Sequence, residues 1–205
     1  DDPQAFVRDV ARCLAPDGVW VLELSYLPAM LDACSFDTIC HEHLGYYPFA
    51  PLEWMLSRSG LEAVRVERNA VNGGSFRVFV RHAGAPAAPG EHRETVAALR
   101  EEERALGLDG PSPFQRFAAS VEALRSELRS LLERLRAEGR RVYGYGACTK
   151  GNTLLQYGGI DATLVEKIAD RNPAKWGHVT PGTGIPIVSE PVARAERPDY
   201  LLVLP

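Results

Sequence analysis

No stretch of this chain holds the roughly 20 consecutive apolar residues that a membrane-crossing helix needs. Nor does a basic, then apolar, then small-residue opening mark a secretory leader. Cysteine is sparse and scattered, at Cys13, Cys34, Cys40 and Cys148, with no CxxC pair. That spacing argues against both a zinc ribbon and a disulfide framework, so a reducing cytoplasm is the expected compartment. Excess positive charge is missing too. With 23 basic and 27 acidic residues the net charge is -4, and neither nucleic acid nor an anionic membrane is an expected partner. There is no internal repeat and no low-complexity tract. The chain does not open on methionine and stops directly after the apolar run YLLVL, so it is expected to be a segment of something longer.

What is present fits a globular α/β protein of 205 residues, 45% hydrophobic and 24% charged, enough for one large core or two modest ones. Phe6, Val7, Val10 and Leu14 fall at helical spacing over 3–14. The turn APDG then leads into the β-rich run VWVLEL. Residues 25–50 read as irregular, and 51–59 as a helix stopped by Gly60. LEAVRVER and SFRVFVRH alternate as strands joined by the turn NAVNGG. The small-residue stretch AGAPAAPG at 84–90 reads as a linker. Two charged helices follow, the second ending at Gly139. The tail alternates strand RVYGY, helix NTLLQY, strands VEKIAD and IPIV, a short helix and YLLVL, which predicts a Rossmann-like parallel sheet. The expected domains are thus 1–84, a linker with long helices at 85–139, and 140–205.

Chemistry concentrates in FDTICHEHLGYY, from Phe36, which sets Cys40, His41, Glu42, His43 and Tyr46 within seven positions. A histidine with a pKa near ~6.5 suits proton abstraction beside a carbonyl. A nearby carboxylate can orient the imidazole or raise its basicity. If the stretch is extended, His41 and His43 share one side and Cys40 and Glu42 the other. The same groups can bind a metal, but two histidines and one carboxylate in a single stretch leave a site short of ligands, so no metal is expected in this chain.

The second concentration is GYGACTKGNTLL, from Gly144. At a strand-to-helix turn, Gly144 and Gly146 let backbone approach a ligand, Thr149 offers a hydroxyl, and Lys150 offers a charge for phosphate, with Asn152 in reach. The dinucleotide fingerprint wants glycine at 149 and finds threonine; the lysine spacing is wrong for a P-loop. Asp170, closing the next strand, is placed to accept from a ribose hydroxyl. In NGGSFR, Gly73 and Gly74 suggest positive φ, and Arg77 is a third candidate for a phosphate.

FDTICHEHLGYY, NGGSFRVFV, GYGACTKGNTLLQY and DRNPAKWGHVTPGTGIPI together resemble the sugar C-methyltransferases of deoxysugar pathways, in order and over essentially the whole chain. The resemblance implies the closing part of a class I methyltransferase domain followed by a Rossmann-like domain. It implies methyl transfer from S-adenosylmethionine to carbon 3 of a nucleotide-linked 4-keto-deoxysugar. His43 would be the base, His41 and Glu42 its helpers, and the turn around Lys150 the grip on the nucleotide. Family members carry tyrosine where this chain has Cys40, which implies either that Tyr46 or Tyr47 takes the role of enolate donor or that the substrate differs. The cofactor's glycine-rich loop and a small zinc module would lie in a preceding N-terminal part of the same protein. Two rival readings stand beside this one: an NAD(P)-binding oxidoreductase, and a non-catalytic nucleotide- or carbohydrate-binding module.

Overall fold

The computed structural model describes residues 2–205. They form two compact units, one of residues up to Ser35 with Gly45–Phe117, the other of Phe36–Leu44 with Ala118–Pro205.

In the first unit, β1 (Trp20–Ser25), β2 (Leu61–Asn69) and β3 (Ser75–His82) form an antiparallel sheet in the order β1-β3-β2. The alternation of β3 makes it the core strand, with Phe76, Val78 and Val80 fully buried. Around it lie α1 (Pro3–Cys13), α2 (Leu27–Asp32), α3 (Phe49–Ser57) and α4 (Arg93–Leu106). Asp2 caps α1, its carboxylate accepting from the Ala5 N–H at 3.1 Å. α3 has no cap from Pro48. Its first amides go instead to the buried carboxylate of Glu103 on α4, Phe49 at 2.6 Å and Ala50 at 3.1 Å. A negative charge there also suits the helix dipole. The short helix α2 forms where the sequence read as irregular.

The small-residue stretch at 84–90 is not the unit boundary. Arg81, buried on β3, donates to Pro86 O at 2.6 Å and to the Glu91 carboxylate at 2.7 Å, and the His92 N–H donates to Val64 O at 2.9 Å. These bonds hold the stretch against the sheet, and Val96 and Leu99 of α4 join the first core. The boundary instead falls within the long helix α5 (Ser112–Ala137), between residues 117 and 118. Composition mimicked a linker; a buried ion pair made it part of the domain.

In the second unit, β4 (Val142–Tyr145), β5 (Lys167–Asp170), β6 (Ile187–Ser189) and β7 (Tyr200–Val203) form an all-parallel sheet in the order β6-β5-β4-β7. α6 (Thr149–Gly158) follows β4, and α7 (Glu190–Glu196) precedes β7. Leu132 and Leu135 of α5 share a core with Leu155 of α6 and with Val142, Ile168 and Ile187 of the sheet. This is the α/β parallel-sheet fold that the alternating tail predicts.

Candidate functional site

From β4 the chain moves outward to β5 and β6, then returns to place β7 on the other flank of β4. The connections therefore depart in opposite directions from the β4–β7 pair. In an open parallel sheet that reversal leaves a ligand crevice beyond the carboxyl ends of the strands. The glycine-rich turn emerges there. Gly146 donates its N–H to Ala169 O on β5 at 2.8 Å, and Tyr145 O accepts from the Leu204 N–H at 2.9 Å, so the last residues of β4 are tied on both sides.

The two glycines do different work. Gly146 has φ +94, which disfavours any side chain and lets the chain leave the strand sharply. Gly144 lies inside β4, where an added Cβ would come within 2.8 Å of Ile168 Cγ1. Its smallness serves strand packing and not the approach of a ligand.

Past the turn, α6 begins with Cys148 as its cap. The Cys148 sulfur accepts from the Gly151 N–H at 3.2 Å, and the thiol donates to Pro205 O at 2.6 Å. The Asn152 N–H reaches Cys148 O at 3.0 Å. The amides of Thr149 and Lys150 have no partner among the described residues, and neither does the ammonium of half-buried Lys150. The Asn152 Oδ1 is buried without a hydrogen bond. Free amides at a helix start, an unpaired cation and an unsatisfied side-chain oxygen together can receive an anionic ligand bearing donor groups.

Asp170 has a different task from the one its position suggests. Its carboxylate accepts from the Ala147 N–H at 2.7 Å, from the Asn172 N–H at 2.8 Å and from Lys175 Nζ at 3.1 Å. Burial pushes the carboxyl up, but the two amides and the Lys175 ammonium outweigh it, and the net shift lies below the ordinary aspartate range. The side chain expected to meet a ribose hydroxyl thus gives three of its acceptor positions to bracing the turn. Lys175, passed over in the sequence, completes the brace by donating to Ala147 O at 2.6 Å. The signal that pointed to it was the NPAK step two residues beyond Asp170, where proline and asparagine turn the chain back on itself.

The stretch 36–44 groups with this second unit rather than with the 1–84 segment it was assigned to in sequence. A 3-10 turn at Phe36–Thr38 packs on α6, and the Phe36 ring stands 5.5 Å from that of Tyr157. Next comes a tight turn closed by the His43 N–H on Cys40 O at 3.1 Å. His41 and Glu42 therefore sit at the turn's centre, and the extended geometry that would set both histidines on one side is not adopted. His41, Glu42 and His43 are exposed, with no side-chain hydrogen bond among the described residues; Cys40 is half-buried.

Two expected members lie in the other unit. Tyr46 is half-buried there. Arg77 faces Glu23 and Glu67 across the sheet, at 2.8 Å and 3.7 Å. Flanked by two carboxylates, its guanidinium offers a phosphate no net positive charge. The turn beside it does use positive φ, at Asn72, Gly73 and Gly74, and an added Cβ on Gly74 would come 2.5 Å from Ala29 Cβ. After β1 the chain passes through Tyr26 directly into α2, with no glycine at the turn.

No group of three or more His, Cys, Asp or Glu among the described residues could hold a metal ion, which leaves zinc without support in this chain. No helix among them is long and apolar enough to cross a membrane.

Residues 70–205 match the family described as the C-methyltransferase C-terminal domain. The chain is also 37% identical over 203 residues to the C-methyltransferase NovU of Streptomyces niveus. That alignment covers 99% of this chain and 48% of NovU, so the chain spans about half the length of this curated relative.

Proposed function

The chain belongs to the C-methyltransferase family through the C-terminal domain of those proteins, and from that premise we propose that it takes part in methyl transfer to a carbon beside the ketone of a nucleotide-linked 4-keto-deoxysugar. The observation that carries this reading is the parallel-sheet unit itself. The Gly146–Lys150 turn stands at the reversal of strand order, and the helix it opens packs on the 3-10 turn Phe36–Thr38, from which the stretch bearing His41, Glu42 and His43 follows. One element thus serves a phosphate grip and supports a base.

In this reading the Thr149 and Lys150 amides and the Lys150 ammonium hold the diphosphate, with Asn152 accepting from a donor on the ligand. The ketone acidifies the neighbouring carbon, and His43 removes its proton. His41 and Glu42 orient that imidazole or polarise the carbonyl. Cys40 is half-buried beside them. S-adenosylmethionine, the donor this reading implies, supplies an electrophilic methyl group. No described residue is assigned to hold it. The task assigned to this chain is to bind, orient and deprotonate, which is mostly positioning.

The test uses the full-length protein with a nucleotide-linked 4-ketosugar. His43→Ala should lower kcat by ~10²–10⁴-fold, the range of a lost general base, while sugar binding persists. Lys150→Ala should raise KM more than it lowers kcat. Unchanged transfer by His43→Ala would refute the assignment of the base. Micromolar NADH binding without affinity for a nucleotide sugar would favour an oxidoreductase instead.

A further inference from the structure

We propose that Trp176 is the stacking face for the nucleobase of the bound nucleotide, an inference that rests on the nucleotide reading of the Gly146–Lys150 turn. The residue sits just past the carboxyl end of β5, immediately after the short 3-10 turn Pro173–Lys175. Its indole N–H donates to Asp170 O at 2.8 Å, which fixes the ring. Yet the side chain remains 41% exposed, unusual for an anchored tryptophan. Lys175, the preceding residue, reaches Ala147 O in the turn at 2.6 Å. The ring therefore belongs to the same strand edge as the phosphate-gripping groups. β5 is the immediate neighbour of β4, and adjacent strands lie about 4.8 Å apart. That offset is short beside the reach of a nucleoside diphosphate.

The usual alternative for the nucleoside is disfavoured by the geometry. A carboxylate at the end of the second strand commonly receives the ribose, but three of the roughly four acceptor positions of Asp170 are taken by Ala147, Asn172 and Lys175. Recognition of the nucleoside then falls to what is left at this edge, and a fixed, open indole is well suited. Any base offers a π-face to it, so the contact adds affinity with little discrimination between pyrimidines.

Calorimetry on the full-length protein tests this with deoxythymidine diphosphate, uridine diphosphate and inorganic pyrophosphate. Trp176→Ala should weaken both nucleotides by roughly 5- to 150-fold, the range for one lost base–aromatic stack, and leave pyrophosphate unchanged. Trp176→Phe, which loses the indole N–H but keeps a ring, should stay within about threefold of the parent. Trp176→Leu, which keeps bulk without a π-face, should behave like alanine and settles the matter should the alanine variant fold poorly. Phenylalanine as weak as leucine would mean the residue acts only through its bond to Asp170 O, overturning the proposal. So would equal loss of pyrophosphate binding, or no loss of nucleotide binding. If the parent protein binds neither nucleotide nor pyrophosphate, the phosphate reading of the turn fails and this inference fails with it. Pyrophosphate bound as tightly as the nucleotides would overturn the stacking role alone.

Discussion

Asp170→Asn isolates the brace that shapes the glycine-rich turn, because it changes charge while keeping shape. The best placement of the new amide keeps its oxygen at the Oδ2 position, still accepting from Ala147 and Lys175. The amide nitrogen then points a donor at the Asn172 N–H, where the carboxylate had accepted at 2.8 Å. One charge-assisted bond is lost outright, at about 1.5–3 kcal/mol, and the one to Ala147 weakens towards the neutral range near 1 kcal/mol. The Lys175 ammonium is partly exposed, and its pair adds little. The expected cost is about 2–4 kcal/mol, well within the total stability of a domain. With a urea m-value of about 1–2 kcal/mol/M, the midpoint of the second unit should fall by roughly 1–4 M. Hydrogen exchange should report the loss locally, with faster exchange at 146–152 and 170–176 than in the first unit. A midpoint within about 0.3 M of the parent, with unchanged exchange at Ala147, would refute the brace.

Acidification should act through the same group. Its folded pKa lies below the ordinary value, so its stabilisation is complete above about pH 4 and fades as pH falls through the depressed value; melting curves between about pH 6 and pH 2.5 should show a component that Asp170→Asn lacks. Gly144→Ala should cost about 1–3 kcal/mol by forcing a methyl against Ile168, and urea melts of Gly144→Ala, Ile168→Ala and the double variant should be less than additive. Additive costs would deny that contact. Glu103→Ala should destabilise the first unit by about 2–4 kcal/mol, because two amides at the start of α3 lose their charged acceptor. An unchanged melt would show that water replaces it.

Most of the fold was legible because its elements announce themselves locally. Alternation in SFRVFVRH and the β-branched runs of the tail mark strands, and the switch from period 2 to helical spacing marks the α/β alternation that predicts a parallel sheet. The four motifs also carried the family, since their order is a one-dimensional property. Of the HEH stretch, only the residue types were legible: histidine and glutamate are side chains able to carry a proton.

What sequence could not supply is who is already engaged. Asp170 and Arg77 look equally available on paper; three donors occupy the first, and two carboxylates flank the second. Gly144 and Gly146 read as one motif, yet one answers to a neighbouring strand and the other to its own φ. The stretch 84–90 has the composition of a linker and is held by Arg81 and Glu91. Each of these turns on contacts between residues distant in the chain, and a local pattern carries no information about them. Residue type and period determined the elements and the available chemistry; the tertiary contacts decided which of those groups remain free to use it.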